Sequence, residues 1–278
     1  MKQTSYQGTY THFRDIAAPY THFLLDMWGV VHNGVEALPG AIDCLENLKL
    51  DGKHVLFITN SSRPASDLAQ LIAQMGIHPK THYDYIHSSG DAVIEALRDP
   101  QNDFADKPYY YLGDTTHGHP LLPHIPGQQV HHLKDAAYIL FTALTSLTDT
   151  VLEEALSLEL PLLCANPDVV AIHGNQMGYC PGLAAQKYEK QGGTVLYYGK
   201  PYAPIYESAL KKLGAPNLKK VLAVGDGLHT DIQGANTMKI DSVFVHSGIH
   251  REDSLQFLVD KFQIERIFPQ AILSRFVW

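Results

Sequence analysis

The sequence predicts an α/β protein built on a doubly wound parallel sheet. Two observations carry this reading: short, wholly apolar runs recur along the chain, and stretches of helical length with one apolar face lie between them. A third is length, since 278 residues are enough for about two domains at roughly 100–200 residues each.

The runs are Phe23–Leu25, Val55–Ile58, Tyr138–Thr142, Leu160–Cys164, Val195–Tyr198, Val221–Val224 and Ser242–Val245. Each is short and ends at polar or glycine punctuation, as strands buried on both faces do. In Gly40–Leu50 the apolar positions Ile42, Leu45 and Leu48 recur every three residues. In Ser66–Met75, Leu68, Leu71, Ile72 and Met75 follow one helical face, with Ser66 as the expected N-cap. Further helices are expected over Asp149–Leu158, Pro204–Leu213, Asp231–Met238 and Glu252–Phe262. The apolar end of the chain, with Phe262, Ile264, Ile267, Phe268 and Trp278, is expected to dock on the core or on a partner.

Composition excludes several functions. Hydrophobic residues are 45% and charged residues 18%, which rules out long-range disorder. Twenty-one Lys and Arg against twenty-nine Asp and Glu leave a net charge of -8. Such a chain lacks the basic field that nucleic acid or an anionic membrane requires. Cys44, Cys164 and Cys180 are odd in number and form no C-x-x-C, so they read as reduced core residues. No secretory h-region opens the chain and no apolar run approaches the ~20 residues of a membrane span. A cytoplasmic protein is expected. Sixteen histidines include no H-E-x-x-H, and His117/His119 and His131/His132 read as surface residues.

Parallel sheets of this kind bind ligands beyond the carboxyl ends of their strands. Four such ends stand out. The first runs into Asp26-Met27-Trp28-Gly29, the second into Thr59-Asn60-Ser61-Ser62-Arg63, another into Gly199-Lys200-Pro201, and another into Gly225-Asp226-Gly227-Leu228-His229-Thr230-Asp231. Singly, each is an ordinary turn or helix cap. Together they form a set for phosphoryl transfer to a carboxylate. Asp26 is the candidate nucleophile. Asp26 with Asp226 supplies the hard oxygens that suit Mg²⁺, with waters at other positions, and Asp231 is counted at the metal as the residue that binds a metal water or orients Asp226 and Lys200. Thr59 and the main chain at Asn60 are placed to hold phosphoryl oxygens, and Lys200 to neutralise shared charge.

These motifs, in this order, resemble the haloacid dehalogenase-like (HAD) hydrolase superfamily, and within it subfamily IIA, the NagD and p-nitrophenylphosphatase group. Gly34, Leu38-Pro39-Gly40-Ala41 and Asn166-Pro167-Asp168 carry the subfamily resemblance. The resemblance implies a Rossmann-like core of residues 1–89 and 192–278, with an α/β cap inserted over 90–191. It implies cap strands at Tyr109–Leu112, Tyr138–Thr142 and Leu160–Cys164, with Asn166 and Asp168 facing the substrate. It further implies a metal contact from the Trp28 main-chain carbonyl and hydrolysis of a small phosphorylated metabolite through an aspartyl-phosphate. The stretch His117–Gln129 is expected to be a mobile cap loop. Oligomerisation of the chain is compatible with the resemblance.

One position departs from the family. The second residue after the nucleophile is normally an aspartate that protonates the leaving oxygen, and here it is Trp28. An indole cannot exchange a proton at neutral pH. General acid–base catalysis is worth about 10²–10⁴-fold, so the loss falls hardest on poor leaving groups. His32, six residues after Asp26, is the first candidate for a substitute acid and His229 the second; against both stands the reading that such a histidine only contacts substrate or solvent. The competing reading is a weak phosphatase or a phosphate-ligand sensor. Attack at carbon is disfavoured because both Asp226 and Asp231 are retained.

Overall fold

The computed structural model describes residues 8–116, 118–174 and 176–278. Its strands are β1 (Thr9–Tyr10), β2 (His22–Leu25), β3 (His54–Thr59), β4 (Tyr85–Ser88), β5 (Tyr109–Leu112), β6 (Gln129–Val130) and β7 (Tyr138–Phe141). They continue with β8 (Leu162–Cys164), β9 (Val170–His173), β10 (Gln176–Tyr179), β11 (Val195–Tyr197), β12 (Val221–Gly225), β13 (Asp241–Val245) and β14 (Ala271–Leu273). Seven of them form a parallel sheet in the order β1-β14-β13-β12-β2-β3-β4. From β2 the chain steps outward to β3 and β4, and from β12 it steps the other way to β13 and β14. The order therefore reverses between β2 and β12, the point where such sheets open a crevice. Leu25 pairs with Val224 there, which sets Asp26 and Asp226 beside each other just past the two strand ends.

Strand alternation explains the layers. Phe23, Leu25, Val55 and Phe57 face the helices Ala41–Leu50 and Ala65–Ala73 through Leu45, Leu48, Leu68 and Ile72. Leu24, Leu56 and Ile58 face the opposite side, toward helices Ser89–Arg98 and Ala203–Lys212. Each fully buried side chain of this size stabilises the fold by about 1.5–3 kcal/mol. The C-terminal segment docks on the same domain: β14 joins the sheet, Phe262 is buried, and Trp278 packs on the first face.

The second sheet runs β11-β8-β7-β5-β6, all parallel, with helices Thr148–Ser157 and Pro181–Lys190 packed on one face. Here the boundaries differ from expectation. Val195–Tyr197, read as a core strand, pairs with Leu162–Cys164 in the second sheet. Ser89–Arg98, beyond the expected boundary, packs on β4 and on helix Ala203–Lys212 of the first. Its start is a capping box between Ser88 and Asp91, a signal readable in the sequence. Ser66 caps nothing; the helix begins at Ala65 with Pro64 in the cap position.

Other expectations meet the structure more simply. Cys44, Cys164 and Cys180 are free thiols, and His131 and His132 are exposed. His117 lies outside the described residues. The rest of the stretch read as a mobile loop is anchored: Leu121 is buried and His119 Nε2 sits 3.1 Å from Ser62 Oγ. No helix among the described residues is long and apolar enough to cross a membrane.

Candidate active site

Asp26, Trp28, Thr59, Asn166, Asp168, Lys200, Asp226 and Asp231 line one cavity of about 340 Å³ between the two sheets. Lys200 is its organising cation. Its buried Nζ lies 2.6 Å from Asp26 Oδ1 and 2.8 Å from Asp231 Oδ1. Burial pulls its ammonium down, but Asp231 and Asp26 more than offset this and hold it well above the ordinary lysine range.

The three carboxylates of Asp26, Asp226 and Asp231 bring an oxygen each within 4.8 Å of one another. Burial pushes the Asp226 carboxyl up to about 7, with the Asp231 charge adding to it. Asp26 moves in the same direction for the same first cause, against the pull of Lys200 and with Asp231 and Asp226 adding. Asp231 is tethered by Gly227 N–H at 3.1 Å and Asp226 by Ile249 N–H at 2.7 Å. Among the described residues no hydrogen bond reaches Asp26 Oδ2 or Asp226 Oδ1. Repelling carboxylates with oxygens left over are what a divalent cation relieves, and the donor set is all hard oxygen. Gly29 serves the same geometry: its φ is +79°, and a Cβ there would strike the Asp226 carboxylate.

Asp231 sits in a wide helical turn, Leu228–Ile232, that precedes helix Gln233–Met238. Such single wide turns recur at functional sites because they re-aim one side chain. The helix expected to start at Asp231 therefore starts two residues later, at Gln233.

Thr59 is buried on the cavity wall, its Oγ1 accepting from Ser61 N–H at 3.2 Å. Asn60 stands behind the wall. Its amide nitrogen donates to Asp168 Oδ1 at 2.8 Å and to the Lys200 carbonyl at 3.0 Å, and its oxygen accepts Lys200 N–H at 2.6 Å. Its side chain is thus spent on Asp168 and the Lys200 main chain. Asn166 shapes the turn by accepting Asp168 N–H at 3.1 Å. Gly199 lets the two layers meet, because a Cβ there would lie 2.6 Å from Pro167 Cδ.

The two candidate substitute acids are not where that role requires. His32 is buried and does not line the cavity; its Nδ1 accepts Gly34 N–H at 2.9 Å and its Nε2 has no hydrogen-bond partner among the described residues. Burial, with His173 nearby, lowers it to about 4, so the ring is neutral. The Trp28 indole packs edge-on against it, ring centres 4.4 Å apart. His229 is exposed and pairs with Glu265 at 3.2 Å, away from the cavity.

Sequence reasoning missed the hairpin β9–β10, which supplies Val170, Ala171, Ile172, His173, Gly178 and Tyr179 to the wall. Its signal was a Gly174-Asn175 pair between two β-prone runs. Gly174 N–H donates to the Asn33 carbonyl at 2.8 Å, tying the hairpin to the loop after Asp26. Ile249, the donor to Asp226, had no signal.

Comparison with known proteins agrees with this arrangement. A haloacid dehalogenase-like hydrolase family model matches residues 23–119 and a HAD-hydrolase-like model matches residues 197–270, together more than half the chain. The chain is 25% identical over 286 residues to a 4-nitrophenylphosphatase of Schizosaccharomyces pombe, covering 87% of this chain and 89% of that one. It is 26% identical over 264 residues to ribonucleotide monophosphatase NagD of Escherichia coli K12, covering 89% and 95%. A haloacid dehalogenase-like hydrolase from Brucella suis 1330 superposes with a TM-score of 0.82 at 27% identity, covering 96% of this chain and 100% of that one. The chain belongs to the haloacid dehalogenase-like hydrolases. Within them it stands in subfamily IIA, with the NagD and 4-nitrophenylphosphatase group of phosphoric monoester hydrolases.

Proposed function

We propose that the protein is a Mg²⁺-dependent phosphatase of a small phosphorylated metabolite, working through an aspartyl-phosphate on Asp26. The carrying observation is Lys200, held 2.6 Å from Asp26 and 2.8 Å from Asp231, with Asp226 close enough to share a cation. Asp26, Asp226 and Asp231 would hold the ion. The Trp28 main-chain carbonyl, which accepts no main-chain hydrogen bond among the described residues, would add a fourth oxygen. When bound, the ion offsets the negative charge that nucleophile and phosphate bring together.

The protein's own residues then have distinct tasks. Asp26 Oδ attacks phosphorus as the bond to the leaving oxygen breaks, giving an acyl-phosphate and an alkoxide or phenoxide. Lys200 stabilises the charge gathering on the phosphoryl oxygens and on Asp26. Thr59 Oγ1 is the neutral donor on the cavity wall, and the Asn60 main-chain N–H next to it would be the second. Asn166 and Asp168 face the rest of the substrate. Water hydrolyses the acyl-phosphate and restores Asp26.

Neither histidine expected from the sequence stands in for the missing acid; His173, on the hairpin wall, is the one histidine lining the cavity among the described residues. Trp28 cannot donate a proton at neutral pH, and His32 and His229 are engaged elsewhere. This favours slow turnover of esters with poor leaving groups, and it is the observation behind the second reading, a phosphate-ligand sensor on the same fold.

The deciding experiment is a phosphatase screen with 4-nitrophenyl phosphate and a metabolite panel, in Mg²⁺ or EDTA, beside Asp26→Asn. The expected result is Mg²⁺-dependent turnover that falls at least about 10³-fold in the variant. Equal turnover in Asp26→Asn would remove the mechanism. Ligand binding without turnover would favour the sensor.

A further inference from the structure

The cavity carries one sign of charge beyond the reacting phosphate. Its acidic groups are Asp26, Asp168, Asp226 and Asp231. Against them stands a single lysine, Lys200, already held by two of the four. No arginine lines the cavity among the described residues, and His173 is the other nitrogen base on its wall. Apart from His173 the remaining lining is uncharged: Trp28, Ile249, Ile172 and Tyr179 are apolar or aromatic, and Ser61 and Thr230 add neutral hydroxyls. Within the cavity, Asp168 is half-buried and its Oδ1 accepts from the Asn60 amide, while no hydrogen bond reaches its Oδ2 among the described residues.

We propose that this cavity selects monophosphate esters whose leaving group is uncharged, about one ring in size and furnished with a hydrogen-bond donor, and rejects leaving groups that carry a second anion. The inference rests on the phosphatase reading and adds the substrate class. An apolar cavity of about 150 Å³ holds a benzene ring, so about 340 Å³ holds a phosphate and one substituted ring. A donor on that ring meets Asp168 Oδ2. A second carboxylate or phosphate would surrender its hydration, find among the described residues no lysine or arginine beyond the engaged Lys200, and face Asp168. At an effective dielectric near 20, repulsion between unit charges about 7 Å apart is worth more than about tenfold in binding. Loss of hydration adds to it.

The test compares two esters that share a ring and differ by one charge, 4-carbamoylphenyl phosphate and 4-carboxyphenyl phosphate, on the Mg²⁺-loaded protein. The carbamoyl ester is expected to have a kcat/KM at least about tenfold higher. A ratio within about twofold of unity, or a reversed one, overturns the inference while leaving the phosphatase reading intact. Turnover of neither ester removes that reading, and the substrate class with it. Ala171→Lys, which sets a cation in the wall, and Asp168→Asn, which removes the facing charge, are each expected to narrow the ratio. An unchanged ratio in both would show that charge is not what discriminates. His173→Gln is expected to keep the preference; its loss there would transfer the selectivity to the histidine and overturn the assignment.

Discussion

Asn60 and Asp168, separated by 108 residues, are joined by an amide-to-carboxylate hydrogen bond of 2.8 Å. The bond runs from the end of β3 in the first sheet to the turn after β8 in the second. The same Asn60 side chain binds the Lys200 main chain through both its nitrogen and its oxygen. One amide thus fixes the backbone that aims Lys200 at Asp26 and pins the turn that faces the substrate.

Asn60→Ala should therefore act on stability and turnover together. It leaves the Lys200 N–H and the Asp168 carboxylate short of partners, at an expected cost of about 2–4 kcal/mol in chemical denaturation. Displacement of Lys200 should lower kcat about tenfold to a hundredfold. A variant with unchanged denaturation midpoint and kcat would show that the amide is not the linchpin of the site.

Trp28→Asp should restore the missing proton carrier. Hydrolysis of alkyl phosphates, with poor leaving groups, is expected to rise by about 10²–10⁴-fold, and that of 4-nitrophenyl phosphate much less. The readout is the dependence of kcat/KM on leaving-group pKa, which should flatten. If the folded, Mg²⁺-binding variant keeps the steep dependence, residue 28 is not what limits turnover.

Metal should stabilise the fold, because three buried carboxylates converge within 4.8 Å with only Lys200 between them. At a Mg²⁺ concentration 100-fold above Kd the expected gain is about 2.7 kcal/mol, seen as a higher melting temperature than in EDTA. Asp226→Asn should lose most of that gain and, in EDTA, melt no lower than the parent. A melting temperature indifferent to Mg²⁺ would count against the cation site.

Acid should destabilise the protein through His87, which is fully buried with no hydrogen-bond partner on either ring nitrogen among the described residues. Burial lowers it to about 4, a shift that Lys212 reinforces and that Glu95 and Asp91 oppose. The unfolded chain then binds the extra proton first, so stability falls as pH drops from about 6.5 toward about 4 and levels off below. The limiting slope for one such group is about 1.4 kcal/mol per pH unit. His87→Leu should reduce the slope of stability against pH across this window and leave it unchanged above pH 7. An identical acid profile in the variant would exonerate His87.

What was legible in the sequence was local. Asp26, Thr59, Lys200, Asp226 and Asp231 each sit within a few residues of a strand end, and a parallel sheet delivers all its carboxyl ends to one edge. Strand periodicity and helical faces located most elements within one or two residues for the same reason. Ser66 misled because a serine near a helix start is a cap only if its backbone lies outside the helix.

The sequence by itself determined the fold class, the family, and the set of carboxylates and lysine that meet at the strand ends, because these depend on periodicity and on motifs a few residues long. Tertiary structure alone decided that Val195–Tyr197 joins the second sheet, that Asn60 locks Lys200 to Asp168, that His32 is sealed away from the cavity, and that the β9–β10 hairpin supplies its apolar wall. The physical reason is range. An apolar run declares itself a strand, but its pairing partner, and the direction a buried polar side chain faces, follow from packing between segments a hundred residues apart.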